Sequence, residues 1–333
     1  MNPSSLEDDF GAIRVVEPQN LLAFLKNEPK TALPDVPVGE VPSYALKDST
    51  VYASASDKPN FKLIASRSNF YQKDQIIHAL DVLVIFSDGT QTKAREGVFF
   101  TEKNQANFYG AVHTVFSNGA TLDSEFAEAF MKPVTQILIP KKELARGMKV
   151  DGKSITHFTS QGLEYKDETP KILKLLSDVH VWIQDDKITD VYSDRATYEH
   201  ERGFLNFEMD EKRPLSEQFV RTNQPDLNIK SRTLDLEIEV GHELKRINAR
   251  GDVWMKDSRD PEKISTSTSG QATYDTQKND VILTEFPQVY QDGDTVTGDV
   301  IIFHRTTDQI EVKQSNAIYN NRPAPPKSAG PKK

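Results

Sequence analysis

Two short motifs recur along this chain, and their repetition limits what it can fold into. The first, clearest at Ser269–Tyr274, alternates polar and apolar residues and is repeated at Ser193–Tyr198 and Ser160–Tyr165. Such alternation is typical of a β-strand with one buried and one solvated face. Looser copies lie at Ala94–Phe99, Ser231–Leu236 and Gly298–Phe303.

A second motif follows most copies of the first about a dozen residues later. It occurs at Leu80–Val82, Gly110–Val112, Ser177–Val179 and Gly251–Val253. The copies lie roughly 30 to 40 residues apart, the spacing of supersecondary units that bury their apolar faces by stacking on neighbours. The series predicts a repeated unit of strand, turn, strand and turn.

Turn residues indicate that the strands are antiparallel. Ser87–Gly89 and Ser117–Gly119 contain Asp-Gly and Asn-Gly pairs, which close tight hairpins. Parallel strands need crossover connections of a dozen residues or more, usually helices. The sequence shows no such helices between the strand-like runs. At Thr121–Met131 apolar residues recur at helical spacing, whereas the repeat series predicts a strand there.

Four segments depart from the repeat. Residues 1–40 are punctuated by Pro18, Pro29, Pro34 and Pro37 and predict one short helix, with Pro18 near its first turn, followed by a tether. The basic segment Pro140–Lys153 is interpreted as a solvated loop rather than a phosphate site. Asp210–Pro225 is polar and predicts a long loop or a soft boundary, and Arg322–Lys333 predicts a disordered tail.

The composition excludes several classes of function. A net charge of -9 argues against a nucleic-acid surface, which needs clustered Lys and Arg. The absence of cysteine excludes a disulfide scaffold, a zinc-thiolate site and a thiol nucleophile. No run of 18 apolar residues and no secretory leader pattern occurs, so we expect no membrane span and no signal peptide in this chain.

Motifs of catalysis are missing from the sequence. The seven histidines are His78, His113, His157, His180, His200, His242 and His304. None pairs at metal-ligand spacing, and His180 is expected to be a hydrogen-bonded structural residue within a strand. No nucleophile elbow, phosphate-binding glycine loop or dinucleotide fingerprint occurs. We therefore predict that the chain is not an enzyme and binds neither a metal nor a cofactor. Trp182 and Trp254 are expected to pack in a core or at its rim, with sugar stacking as the alternative.

The repeats carry a family resemblance. The succession Phe158–Tyr165, Leu176–Val179 and Tyr192–Tyr198 resembles the OstA-type repeat of lipopolysaccharide transport proteins. Thr268–Tyr274 followed by Thr297–Phe303 is similar to the LptA form of that repeat.

The segment from Tyr44 to about Tyr198 looks more like LptC, with Thr121–Glu125 at the Thr/Glu step of that family. The chain departs from both relatives. LptC normally begins with a membrane-spanning helix, which this sequence does not show. The chain is also longer than either family and holds both forms of the repeat.

The resemblance implies the fold and the function. The implied fold is all-β: a twisted, open antiparallel β jelly roll built from repeated strand pairs. Its V-shaped interior holds the lipid A acyl chains of lipopolysaccharide, and such modules join other β jelly-roll transport proteins by strand addition across the periplasm. Energy comes from an inner-membrane ABC transporter complex, and a full-length form could carry an inner-membrane anchor.

The resemblance also divides the chain. Residues 1–40 form a tether, 41–210 an LptC-like jelly roll, 211–321 an LptA/OstA-like continuation of the same sheet, and 322–333 the tail. Because side chains alternate along a strand, residues two apart share a face. The predicted lipid-binding residues are Val82, Val84, Phe86, Val179, Val181, Ile183, Ala196, Tyr198, Ala272, Tyr274 and Phe303. The predicted partner-edge residues are Tyr44, Leu46, Ile310 and Val312.

A different class of function remains open at this stage. An antiparallel β-sandwich that binds polysaccharide, or that scaffolds an envelope assembly, would show the same alternating strands. In that case the predicted lipid-facing residues would pack a closed, dry core, and exposed Trp and Tyr side chains would be the platforms.

Overall fold

The computed structural model describes residues 33–37, 40–54, 59–131, 135–239, 243–261, 264–291, 293–307, 309–314 and 316–318. Within these residues, 24 β-strands form one hydrogen-bonded antiparallel sheet. The strands are β1 (Tyr44–Ser54), β2 (Pro59–Tyr71), β3 (Ile76–Phe86), β4 (Gln91–Phe100), β5 (Gln105–Val115), β6 (Thr121–Phe130), β7 (Gln136–Asp151), β8 (Ser154–Lys166), β9 (Ile172–Leu175), β10 (Val179–Gln184), β11 (Ile188–Ser193), β12 (Arg195–Glu199), β13 (Phe204–Glu208), β14 (Val220–Asn223), β15 (Leu227–Ser231), β16 (Thr233–Ile238), β17 (Leu244–Asp257), β18 (Ser265–Asp275), β19 (Asp280–Thr284), β20 (Gln288–Gln291), β21 (Asp294–Thr297), β22 (Val300–His304), β23 (Gln309–Lys313) and β24 (Asn316–Ile318).

The long strands β1 to β8 pair in succession and bend near their middle. The pairing of β4 with β5 shifts between Lys93 and Glu96, and that of β5 with β6 shifts between Tyr109 and Val112. Such a break in the ladder bends a strand. Each long strand therefore contributes one half to each of two layers.

After β8 the chain alternates between these layers. In the first layer, Ile155–Thr159 of β8 pairs with β10, and β11, β14, β15 and the end of β17 follow. In the second layer, Leu163–Lys166 of β8 pairs with β9, and β12, β13, β16 and the start of β17 follow. Beyond β18 the first layer ends with β20, β21 and β24 and the second with β19, β22 and β23. The layers meet at the bends, which we call the spine, and their opposite strand ends form the mouth.

The second sequence motif is the bend itself. Asp81, Ala111, Asp178 and Asp252 all have positive φ, between 47° and 53°. Left-handed backbone is unfavourable for most L-residues, and Asp is among the few side chains that tolerate it. The motif belongs to the predicted series of strands and turns, and its physical role is to turn the chain from one layer into the other.

The serine of the first motif supports the same crossings. Its hydroxyl donates a hydrogen bond to the carbonyl oxygen two residues further on. The bonds are Ser160 to Gly162 (2.7 Å), Ser193 to Arg195 (2.9 Å), Ser231 to Thr233 (2.8 Å) and Ser269 to Gln271 (2.9 Å). These serines are buried, so the bond satisfies a hydroxyl that water cannot reach.

The predicted all-β antiparallel jelly roll built from repeated strand pairs is confirmed, with two local corrections. The strand at Thr121–Met131 is confirmed as β6, and the helical alternative is wrong. The solvated loop at Pro140–Lys153 is wrong because β7 runs through it and pairs with both β6 and β8. Lys141, Lys142 and Arg146 lie on exposed positions of this strand, so a charge run did not mark a loop here. Within Asp210–Pro225, a 3₁₀ turn at Leu215–Glu217 precedes β14, so only the first part of that segment is a loop.

The ends of the chain lie largely outside the described residues, including the predicted helix near Pro18 and the predicted tail 322–333. In the described part of the tether, the Asp35 carboxylate accepts hydrogen bonds from Asn107 Nδ2 at 2.8 Å and from the Tyr109 hydroxyl. Burial, followed by this bond, raises the pKa of Tyr109. The two layers continue across residue 210 through the pairing of β13 with β16. The division into LptC-like and LptA-like parts stays a prediction.

Replacing Ser160 by Ala tests the role of the serine at the spine. The change removes the hydroxyl that bonds to the Gly162 carbonyl, and we expect the free energy of unfolding to fall by about 1–2 kcal/mol in urea denaturation. Ser87→Ala, at an exposed hairpin position, is the control and should change it by less than about 0.5 kcal/mol. Equal effects of the two changes would contradict a structural role for the bond.

Candidate functional site

The predicted lipid-facing residues all lie in or against one continuous apolar core between the layers. Ten of them are buried, with exposed fractions of 5% or less: Val82, Val84, Phe86, Val179, Val181, Ile183, Ala196, Ala272, Tyr274 and Phe303. Tyr198 is partly buried and packs against the same core. The structure therefore places all eleven in the interior, as side-chain alternation predicts.

An open cavity interrupts this core at the mouth. It holds about 970 Å³ of empty space, counting the part that is open to solvent. Of the predicted residues, Val181, Ala196 and Tyr198 line it; the others lie elsewhere in the core. The sequence interpretation missed Phe116, Met148, Phe158, Leu173, Leu205 and Ile238, which also line it. Leu173 pairs with Tyr198 and Phe158 with Val181 across neighbouring strands, so only the strand register could have found them.

Gly147 fixes the position of one wall of the cavity. Gly147 in β7 pairs with Phe158 in β8, and a Cβ at Gly147 would overlap the Phe158 ring. The ring therefore lies over the glycine and forms part of the apolar lining. A glycine within a strand often marks such a close approach.

At one end of the cavity the mouth is closed by aromatic and acidic side chains. The ring of Phe116, from the β5–β6 hairpin, packs against that of Tyr165, from β8, with the ring centroids 4.6 Å apart. The Tyr165 hydroxyl donates to Asp167 at 3.2 Å, and Lys171 Nζ lies 2.6 Å from the same carboxylate. Burial raises the pKa of Asp88, and the nearby Asp167 adds to the rise in spite of hydrogen bonds from Thr90. Burial is also the main reason that the pKa of Tyr165 is raised.

Near the C-terminal end of the layers, away from the residues that line the cavity, a buried ionic cluster closes the mouth; we call it the Arg305 cluster, formed by Arg305, Asp257 and Asp226. The Arg305 guanidinium, whose side chain is 0% exposed, lies 2.9 Å from Asp257 Oδ2 and 3.1 Å from Asp226 Oδ2. It also approaches the Tyr274 hydroxyl at 3.3 Å. Asp226 and Asp257 belong to the strand ends of the first layer, and Arg305 follows β22 of the second. Burial alone would raise the pKa of Asp257, but hydrogen bonds from Arg305 and Arg259 hold that pKa below its usual value.

The predicted partner edges differ from each other. Tyr44 and Leu46 on β1 are exposed, and Ile310 on β23 is 37% exposed. Val312 instead packs against the core. In the part of the chain that the structure describes, β1 pairs only with β2 and β23 only with β22. Each of these strands therefore presents one side without a strand neighbour among those residues.

The aromatic side chains outside the core do not form a sugar platform at Trp182. Its ring is stacked between His157 and His180, with both centroids 4.8 Å away. His180 Nε2 is 2.8 Å from Asp190 Oδ1, so His180 is hydrogen-bonded as predicted. Lys230 Nζ lies 5.1 Å from the Trp254 ring. Among the described residues, no three His, Cys, Asp or Glu side chains are grouped to hold a metal ion, and no helix has the length and apolarity to cross a bilayer.

The fold and this site define an antiparallel β jelly roll with an apolar cavity between its layers. Residues 205–309, roughly a third of the chain, match the family described as "LptA/(LptD N-terminal domain) LPS transport protein". Comparison with curated proteins finds no match. The solved structure of LptH from Pseudomonas aeruginosa, described as the LptA homologous periplasmic component of the conserved lipopolysaccharide transport device, is 14% identical with a TM-score of 0.35, over 40% of this chain and 94% of that chain.

The pKa directions at the two ends of the mouth predict opposite effects of acid. Asp257 has a lowered pKa, so its contribution to stability is complete above the unfolded pKa of about 4 and is lost as pH falls below it. Asp88 has a raised pKa, so its contribution is present at low pH and is lost as pH rises. We expect Asp257→Asn to flatten, and Asp88→Asn to steepen, the loss of unfolding free energy between about pH 6 and pH 3, measured by urea denaturation. Parallel curves for both variants and the unchanged protein would contradict this assignment.

Proposed function

We propose that this chain is a non-enzymatic carrier of lipopolysaccharide in the periplasm, and that it holds the lipid A acyl chains in the open cavity. The observation that carries the proposal is the apolar cavity between the layers, lined by Val181, Ala196 and Tyr198 among others. The family of residues 205–309 supports the same function. The cavity is lined mainly by apolar and aromatic side chains, as ligand-binding pockets are.

Physical chemistry explains why such a carrier needs no catalytic group. Burying a methylene is worth about 0.8 kcal/mol, so an acyl chain of about ten methylenes represents roughly 8 kcal/mol against exposure to water. A lipid therefore cannot leave a membrane for water without an apolar escort. Strands with one apolar and one solvated face supply that escort and stay soluble on the outside.

The proposal includes partners at the strand edges. Unpaired N–H and C=O groups on an edge strand are templates for the addition of another strand. β1 and β23 present such sides, so we infer that other β jelly-roll transport proteins pair there. The repeats' resemblance to lipopolysaccharide transport proteins supports an inner-membrane ABC transporter complex as the source of energy.

Photo-crosslinking tests whether the lipid occupies the cavity. A photoreactive amino acid placed singly at Ala196 or Tyr198 should capture lipopolysaccharide in cells, because both residues line the cavity. Thr197, between them in β12, points to the other face and should capture none. Ala272 and Tyr274, with Thr273 as their control, extend the test to the part of the core that is closed in this structure.

Two results would contradict the proposal. Equal capture at Ala196 and Thr197 would mean that the lipid does not follow the apolar face. Capture at neither position, together with no lipid in an organic extract of the purified protein, would favour a dry sandwich.

Proline substitutions test the edge at β23. Backbone N–H groups alternate in direction along a strand, so only one of two neighbouring pairs can carry the outward donors. Two double variants are compared. One carries Ile310→Pro and Val312→Pro together, and the other carries Gln309→Pro and Glu311→Pro together. We expect one double variant to lose association with a partner β jelly roll in sedimentation experiments while its own fold is retained. The other should break the pairing of β23 with β22 and lower the melting temperature. Unchanged association in both double variants would rule out pairing at this edge.

A further inference from the structure

The Arg305 cluster contains an unusual cation for this protein. Among the described residues, Arg305 is the only arginine or lysine that is buried. Its carboxylate partners come from the facing layer: Asp226 precedes β15, and Asp257 ends β17. The cluster therefore joins the two layers at the mouth. We call the space between the layers the slot; the Phe116 and Tyr165 rings close a different part of its mouth.

The chemistry of this closure differs from that of the aromatic one. Taking charges out of water is expensive, and a buried ion pair often adds no more stability than apolar side chains of the same volume. The cluster is also incompletely satisfied, because the buried Asp226 Oδ1 has no hydrogen-bond partner among the described residues. Such an arrangement holds two surfaces in register without binding them as firmly as an apolar contact.

Solvent lies directly beside the cluster. A recess of about 380 Å³, counting its open part, is lined by Asp257, Asp260, Gln291, Phe303 and Ile310 among others. Charges that separate here exchange their ion pairs for hydration, which offsets much of the cost. An apolar closure would instead expose surface at about 25 cal/mol per Å². The recess also reaches the edge strand β23 through Ile310.

We propose that Arg305, Asp257 and Asp226 form a latch that closes the C-terminal part of the slot. While the latch is shut, Ala272, Tyr274 and Phe303 lie in a closed core, and Arg305 covers the Tyr274 hydroxyl. When the layers part at the latch, this interior becomes continuous with the open cavity as far as β23. A role for the latch in passing lipid onward rests on the proposed function; the latch itself does not.

Cysteine accessibility tests the latch without any lipid. The chain has no cysteine, so a single residue can be replaced by cysteine and its reaction with a small apolar maleimide followed by mass spectrometry. Ala272→Cys reports on the interior behind the latch, and Ala127→Cys on an equally buried site in β6, both positions being 2% exposed. Tyr198→Cys, at a partly buried position that lines the open cavity, is the reference and should react readily.

Each cysteine is combined with Arg305→Met, which keeps a long side chain and removes the charge. We expect the rate at Ala272→Cys to rise about tenfold or more, because labelling of a buried site follows its local opening. The rate at Ala127→Cys should stay unchanged. Arg213→Met is the matched control: it removes an arginine that pairs with buried Asp194 at 2.5 Å near the spine, and it should change neither rate.

An unchanged labelling rate at Ala272→Cys in folded Arg305→Met protein overturns the proposed latch. An equal rise in the rate at Ala127→Cys also overturns it, because it would mean that the whole structure has loosened. If Arg305→Met does not fold, Arg305→Lys decides. It keeps the charge but loses the two-pronged contact with both carboxylates, so a smaller rise confined to Ala272→Cys supports the latch and no rise overturns it. The lipid crosslinks at Ala196 and Tyr198 are separate, so either idea can fail alone.

Discussion

The bend at the spine is the constraint on which the rest of this structure depends. A strand can belong to two facing layers only if its backbone turns sharply in the middle, and there it gives up part of its ladder of hydrogen bonds. Positive φ at Asp81, Asp178 and Asp252 supplies the turn, and the serine hydroxyls of the first motif satisfy carbonyl oxygens next to other crossings. Without these crossings the apolar faces would lie on one flat sheet and would enclose nothing.

Much of the fold followed from the sequence because alternation and turn residues are local signals. The strand parity of Val181 and Ala196 was predicted correctly, since side-chain direction needs no knowledge of the partners. The meaning of the second motif was missed because a bend and a strand end share the same Gly and Asp residues. The loop predicted over Pro140–Lys153 failed because pairing with two neighbouring strands outweighed charge.

The candidate site was predicted only in part, for a different reason. Which of the buried residues meet a cavity depends on how far the layers part, and parity says nothing about that distance. Asp226, Asp257 and Arg305 are far apart in sequence, and no motif connects them; only the crossing of strands brings them to one point. The mouth is accordingly closed by rings at Phe116 and Tyr165 and by charges at Arg305, two closures that respond differently to acid and to solvent.

Because each layer grows by a hairpin of two strands as the chain crosses the spine and returns, chain length determines the length of the slot. Neighbouring strands lie about 4.8 Å apart, so one added repeat lengthens the enclosed space by a fixed step and leaves its width unchanged. The eleven-residue connection between β13 and β14, Met209–Phe219, is a crossing that has been enlarged without breaking the layers on either side. Insertions at the spine thus add residues outside the two layers, whereas only whole repeats change the volume enclosed between them.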